Sequence, residues 1–235
     1  PAPNFASGVT VVPGGVKGAY LQCADGQLLS YWAPGNVYAQ RGTLSFFWRS
    51  RDPVDATEFP IFRIGYADHS SWDMVWLRLD YNGHGFDAFV TDVNLGRTRV
   101  SYTMTDFPKP DQWTHLAVSW DETVGIRLYV NGKEVAAAKP TGMFDAGLDQ
   151  FGPNQRLVGP TGVESTYNFS RGGDLDELRI HDRMLSDDNI ASLARGDGLR
   201  GLPGLERSLA TPLSQHAWAF RHGWNRDDDL PPRLT

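Results

Sequence analysis

The chain has 235 residues, a formal net charge of −6, and 40% hydrophobic and 12% aromatic residues. This is globular composition, and the acidity argues against a nucleic-acid binder, leaving room only for a localised basic groove. No apolar stretch nears the roughly 18 residues of a membrane helix, and the single cysteine, Cys23, excludes an intramolecular disulfide or a thiolate metal cluster.

The opening "PAPNF" has neither Met nor a signal pattern, and reads as the start of an excised piece. A first strand is expected at 18–22. It runs into "LQCADG", where Cys23 has no evident base beside it and reads as a small buried hydrophobe. "TLSFFWRS" alternates, with Leu44, Phe46 and Trp48 on one face and Ser45, Phe47 and Arg49 on the other. A strand at 61–66 precedes "WDMVWLRLDY". There, period two sets Val75, Leu77 and Leu79 against Trp72, Met74, Trp76, Arg78 and Asp80. Strands at 85–91 and 99–103 follow. "THLAVSWD" turns Leu116, Val118 and Trp120 inward, and "GIRLYVNGKEVAAA" does the same with Ile126, Leu128 and Val130. Asn131-Gly132 tolerates positive φ at both positions and marks a two-residue hairpin. Strands are also expected at 155–159 and 174–181.

One short helix is expected near 187–195. Ser186 caps it, Asp187 and Asp188 favour its first turn, Leu185 staples to Ile190, and Gly196 ends it. Beyond Gly196 the sequence becomes linker-like and ends in an aromatic, charged tail carrying Trp218, Phe220 and Trp224. Many short strands without long helices predict an all-β sandwich or jelly roll.

Three ordered blocks carry a family likeness: "RGTLSFFWRS", "DQWTHLAVSWDETVGIRLYVNGKEVAAA" and "GDLDELRIHDRMLSDDNIASLARG". Across residues 18–196 the chain resembles laminin-G-like, concanavalin A-like modules. The resemblance implies a two-sheet antiparallel jelly roll with one concave face and does not cover 197–235. The domain is expected to comprise residues 1–196, and the texture of 197–235 marks a linker and a tail that docks on this domain or a neighbour. Such modules bind glycans or proteins, often as accessory domains of larger secreted or surface proteins, and some bind calcium. Related jelly rolls include glycoside hydrolases and polysaccharide lyases, so fold alone does not decide function. His115, Trp48, Trp113 and Trp120 match packing positions of the family.

The richest candidate surface is "GYADHSSWDMVWLRLDYNGHGF". With Val75, Leu77 and Leu79 inward, Trp72, Trp76, Arg78 and Asp80 would face outward, and Tyr66, His69, Tyr81 and His84 would form a rim. Aromatic rings stack on sugar C–H faces, and charged groups bond hydroxyls or pair with uronates. The competing expectation is a Trp face covered by a loop or by the tail.

"GGDLDELRIHDRMLSDDN" crowds Asp174, Asp176, Glu177, Asp182, Asp187 and Asp188 together. Strand phase puts Asp174 and Asp176 on one face, away from Glu177. Leu178 then breaks the alternating carboxylate run that a jelly-roll hydrolase needs. Asp174 and Asp176 are candidate calcium ligands, although calcium takes roughly six to eight oxygens. The plainer expectation is a solvated or backbone-bonded pair. The scattered histidines do not point to zinc, and no nucleophile motif occurs. Asn168 opens a sequon, meaningful only on a eukaryotic secretory route.

The expected function is a non-catalytic carbohydrate-binding or adhesion module of a larger extracytoplasmic protein: extracellular, periplasmic or at the cell surface. Its partners would be a glycan and neighbouring domains, without nucleic acid or membrane insertion. The alternatives are a glycoside hydrolase or uronate lyase on the same fold, and a structural interdomain module.

Overall fold

The alternating runs become fourteen strands in a computed structural model that describes residues 5–23, 27–32, 37–50, 55–66, 75–92, 94, 96–106, 108–144, 163–169 and 173–199. In chain order they are β1 (Phe5–Ser7), β2 (Thr10–Pro13), β3 (Ala19–Cys23), β4 (Gln27–Trp32), β5 (Arg41–Arg49), β6 (Phe59–Tyr66) and β7 (Val75–Tyr81). Then come β8 (Gly85–Thr91), β9 (Arg97–Thr103), β10 (Thr114–Asp121), β11 (Gly125–Val130), β12 (Lys133–Ala138), β13 (Val163–Phe169) and β14 (Gly173–His181). They form two seven-stranded sheets, β1-β4-β13-β6-β7-β8-β9 and β12-β11-β10-β5-β14-β3-β2, whose paired strands are antiparallel. The expected strand at 155–159 lies outside the described residues, as do the tail aromatics.

The core between the sheets follows the alternation. Leu44, Phe46, Leu116, Val118, Trp120, Ile126 and Leu128 from the second sheet meet Ile64, Leu77, Leu79, Phe86, Ala88 and Val90 from the first, all fully buried. Each such side chain contributes about 1.5–3 kcal/mol by leaving water. At the β11–β12 hairpin, Asn131 and Gly132 adopt φ 50° and 79°.

The alternation fails at Trp76. Register runs Ile64↔Leu77 and then Gly65↔Val75, so Trp76 is an extra residue in β7. A bulge resets side-chain phase, and Trp76 joins Leu77 in the core at 2% exposure. The expectation of an outward Trp76 is therefore corrected. Tyr81, expected on a rim, keeps the phase of Leu77 and Leu79 and is also fully buried, with its ring centroid 5.1 Å from that of Phe59.

The helix α1 (Asp187–Ala194) closes the outer face of the second sheet. The Ser186 hydroxyl accepts the Asn189 N–H at 3.4 Å, and Gly196 (φ 75°) donates to the Leu193 carbonyl at 2.9 Å. Leu185, Ile190 and Leu193 pack on Ala117 and Tyr129, which point away from the main core. Thr43 ties the approach to the helix, donating to the Arg183 carbonyl at 2.8 Å and accepting the Leu185 N–H at 3.0 Å. The outer face of β6–β9 differs: among the described residues, no helix packs over it.

Candidate functional site

Cross-strand register builds the outer face of β6–β9. Arg63 lies opposite Arg78, Arg78 opposite Phe89, and Phe89 opposite Arg99. A second row joins Asp80, Asp87 and Ser101. Strand phase forces these residues outward because their neighbours Phe62, Ile64, Leu77, Leu79, Ala88, Val90 and Val100 fill the core.

Arg78 Nε donates to Asp80 Oδ1 at 2.6 Å, and both side chains are 17% exposed. Burial pushes the Asp80 carboxyl up to about 6, outweighing the opposing effect of Arg78, while Asp87 adds like-charge repulsion. Arg63 has a buried Nε without a hydrogen-bond partner among the described residues. Burial first, and then the charge of Arg78, pull its guanidinium down to about 9. Arg97 and Arg99 lie over the Phe89 ring, at 5.0 and 5.4 Å from its centroid. Asn82 Nδ2 donates to Asp87 Oδ1 at 2.6 Å. The turn that follows β7 leaves His84 exposed, with its N–H donating to Asn82 Oδ1 at 3.0 Å.

Of the expected ligand-binding residues, the structure brings Arg78 and Asp80 together on β7 and puts His84 in the turn after that strand. Trp76 and Tyr81 belong to the core. Tyr66 ends β6 opposite Val163, while Trp72 and His69 lie outside the described residues. Sequence reading missed Arg63, Asp87, Phe89, Arg97 and Arg99. Their signal was present: "FRIG", "FDAFV" and "RTRVS" alternate as clearly as the neighbouring strand does.

The acidic stretch resolves into structural contacts. Asp174 is wholly buried, and its Oδ2 accepts Arg49 Nη2 at 2.6 Å and Nε at 2.9 Å. The Arg49 guanidinium lies 4.7 Å from the Tyr20 ring centroid and 4.4 Å from that of Trp113. Trp113 is thus half-buried in a clamp on the outer face of the second sheet, rather than in the core. Asp176 accepts the backbone N–H groups of Lys17 and Glu177 at 3.1 and 2.8 Å. Glu177, at φ 51° in a bulge, pairs with Arg179. Asp187 accepts the Tyr129 hydroxyl at 2.9 Å. Asp174 and Asp176 do share a face, but their oxygens hold a guanidinium and backbone N–H groups. That arrangement does not fit a calcium cage, and among the described residues no group of three or more His, Cys, Asp or Glu is placed to hold a metal.

Two buried histidines sit beneath the covered face. His115 Nε2 is 3.3 Å from the Ser45 hydroxyl, and burial lowers its imidazole to about 4. His181 is also lowered to about 4, mainly by burial and then by Arg179.

Two antiparallel sheets, one outer face closed by a helix and the other lined with charged side chains, define a lectin-like jelly roll. Residues 22–191 match the laminin G domain family described as the concanavalin A-like lectin/glucanases superfamily, and the chain belongs to it. It is 24% identical over 198 residues to the adhesion G-protein coupled receptor D1 of Bos taurus, covering 80% of this chain and 20% of the receptor. The fold is also similar to the botulinum neurotoxin serotype G binding domain (TM-score 0.58, 11% identity, 81% of this chain and 45% of that one). A further similar structure is the serotype D ligand binding domain in complex with N-acetylneuraminic acid (TM-score 0.58, 12% identity, 81% and 46%). The chain spans about a fifth of the curated relatives it matches. No helix among the described residues is long and apolar enough to cross a membrane.

Proposed function

We propose that this domain is a non-catalytic carbohydrate-recognition module of a larger extracytoplasmic protein, binding glycan across the outer face of β6–β9. The observation that carries this reading is the Arg78–Asp80 pair, half-buried on a sheet face over which no described helix packs. A fixed guanidinium and carboxylate, backed by rigid strands, present donors and acceptors to sugar hydroxyls without further ordering cost. Support for a binding role comes from the relatives, an adhesion receptor and toxin binding domains, one of them solved with a sialic acid.

A glycan array probed with the parent chain and with Arg78→Ala and Asp80→Asn tests the reading. At least one glycan class should be retained, and each variant should lower its retention about ten-fold or more. Retention of no glycan, or variants that bind like the parent, would sink it.

One observation favours a hydrolase reading. Asp80 and Asp87 sit directly opposite across two strands, and Asp80 is held protonated up to about 6. Such pairs can supply an acid and a base to a glycosidic bond. New reducing ends released from a polysaccharide, and lost in Asp80→Asn, would establish it.

A further inference from the structure

We infer that the ligand of the β6–β9 face is an anionic polysaccharide, one bearing carboxylate or sulfate groups. This rests on the glycan-binding reading above and narrows its ligand class.

The argument begins with the balance of charge. The described outward positions of these four strands carry four arginines, Arg63, Arg78, Arg97 and Arg99, against two aspartates, Asp80 and Asp87. That local excess of cations sits on a chain whose net charge is −6. Composition alone would place anions elsewhere.

Geometry adds direction. Arg63, Arg78 and Arg99 belong to one cross-strand row, with Phe89 between the last two. Strands lie about 4.8 Å apart, so the row spans ~14 Å, enough for a short run of linked sugars. Arg99 is exposed, and Arg97 and Arg99 are both steadied over the Phe89 ring.

Electrostatics points the same way. Arg78 already shares Asp80, whereas Arg63 stands in the ladder between Thr166 and the like-charged Arg78, and its buried Nε has no hydrogen-bond partner among the described residues. An anion bridging the guanidinium groups of Arg63 and Arg78 would relieve the repulsion between these facing cations. Guanidinium forks match carboxylate and sulfate oxygens. Asp80 and Asp87 interrupt the positive row. They can accept hydrogen bonds from sugar hydroxyls, which a polysaccharide presents between its anionic groups and single-stranded DNA does not, and this favours a glycan over a nucleic acid.

The test compares paired probes on the full chain: polygalacturonate against its methyl ester, dextran sulfate against dextran, and single-stranded DNA. At least one anionic polymer should bind about ten-fold or more tightly than its uncharged partner. Its affinity should fall as salt rises from about 50 to about 300 mM. Preference for polygalacturonate identifies carboxylate as the recognised group, and preference for dextran sulfate identifies sulfate. Arg63→Gln and Arg99→Ala should each weaken that binding about five-fold or more, while Lys133→Ala, which removes a charge from the other sheet, should not. If Arg63→Gln fails to fold by circular dichroism, the exposed Arg99→Ala decides. Equal binding of charged and uncharged partners overturns this inference and leaves the glycan reading intact. Retention of no glycan here or on the array removes both, and DNA binding as tight as the best polysaccharide overturns the glycan assignment.

Discussion

Trp76 and Trp120 meet edge to face across the two sheets, with ring centroids 5.5 Å apart and planes at 81°. Each indole N–H donates to a backbone carbonyl, Trp76 to Phe144 at 2.9 Å and Trp120 to Tyr38 at 3.0 Å. The pair therefore staples both sheets to the segments that flank them. Trp76→Ala should cost about 3–5 kcal/mol, and Trp76→Phe, which strands the Phe144 carbonyl, about 1–3 kcal/mol. Urea denaturation measures both. A Trp76→Ala protein as stable as the parent would return this residue to the surface.

Gly42 lies opposite Trp120 in the β5–β10 ladder, and a Cβ there would collide with the indole Cζ2. The indole is fully buried, so it cannot swing aside into solvent. Gly42→Ala should destabilise by about 1–3 kcal/mol through overpacking and shift the tryptophan fluorescence. A variant with unchanged midpoint and spectrum would show that the ring moves freely.

Asp174 depends on Arg49. With the carboxylate wholly buried, Arg49→Ala leaves an uncompensated charge and should cost about 3–5 kcal/mol. The double variant Arg49→Ala/Asp174→Ala should recover part of that loss. A chelator or added calcium should leave the melting temperature of the parent unchanged. Thermal stabilisation by calcium, abolished in Asp174→Asn, would revive the metal site.

The buried histidines set a pH window. In the unfolded chain both bind protons near pH 6.5, but in the folded chain only near about 4. Their stabilising contribution is fully present above pH 6.5 and is lost as pH falls toward 4, on the order of 3 kcal/mol for each. Asp80 acts in the opposite sense. Its raised carboxyl takes up a proton first in the folded state, offsetting part of the loss below about 6. Denaturant midpoints should fall between pH 7 and pH 5, and His115→Gln/His181→Gln should flatten that slope. A flat parent profile would contradict neutral burial.

Period-two alternation and turn residues made much of the sandwich legible. The inward sets of β5, β10 and β11, the Asn131-Gly132 hairpin and the capped helix could all be read from local chemistry. β13 is not among the expected strands although "VESTYNF" alternates, and its place is fixed by pairing with β4 and β6, distant in sequence. Two residues of the candidate face, Arg78 and Asp80, were legible for the same reason: they alternate with Leu77 and Leu79. Trp76 was misread because one bulged residue inverts strand phase, and nothing within β7 itself announces it.

The sequence by itself determined the class of fold, since hydrophobic periodicity, turn chemistry and caps act over a few residues and need no partner. Only the tertiary structure decided which charges meet. Arg63, Arg78, Phe89 and Arg99 come from four separate strands, and Arg49 reaches Asp174 across 125 positions of chain. Such contacts depend on sheet order and register, and on where a bulge interrupts them. These long-range pairings separated the acidic stretch, which is structural, from the arginine row, which is the candidate site.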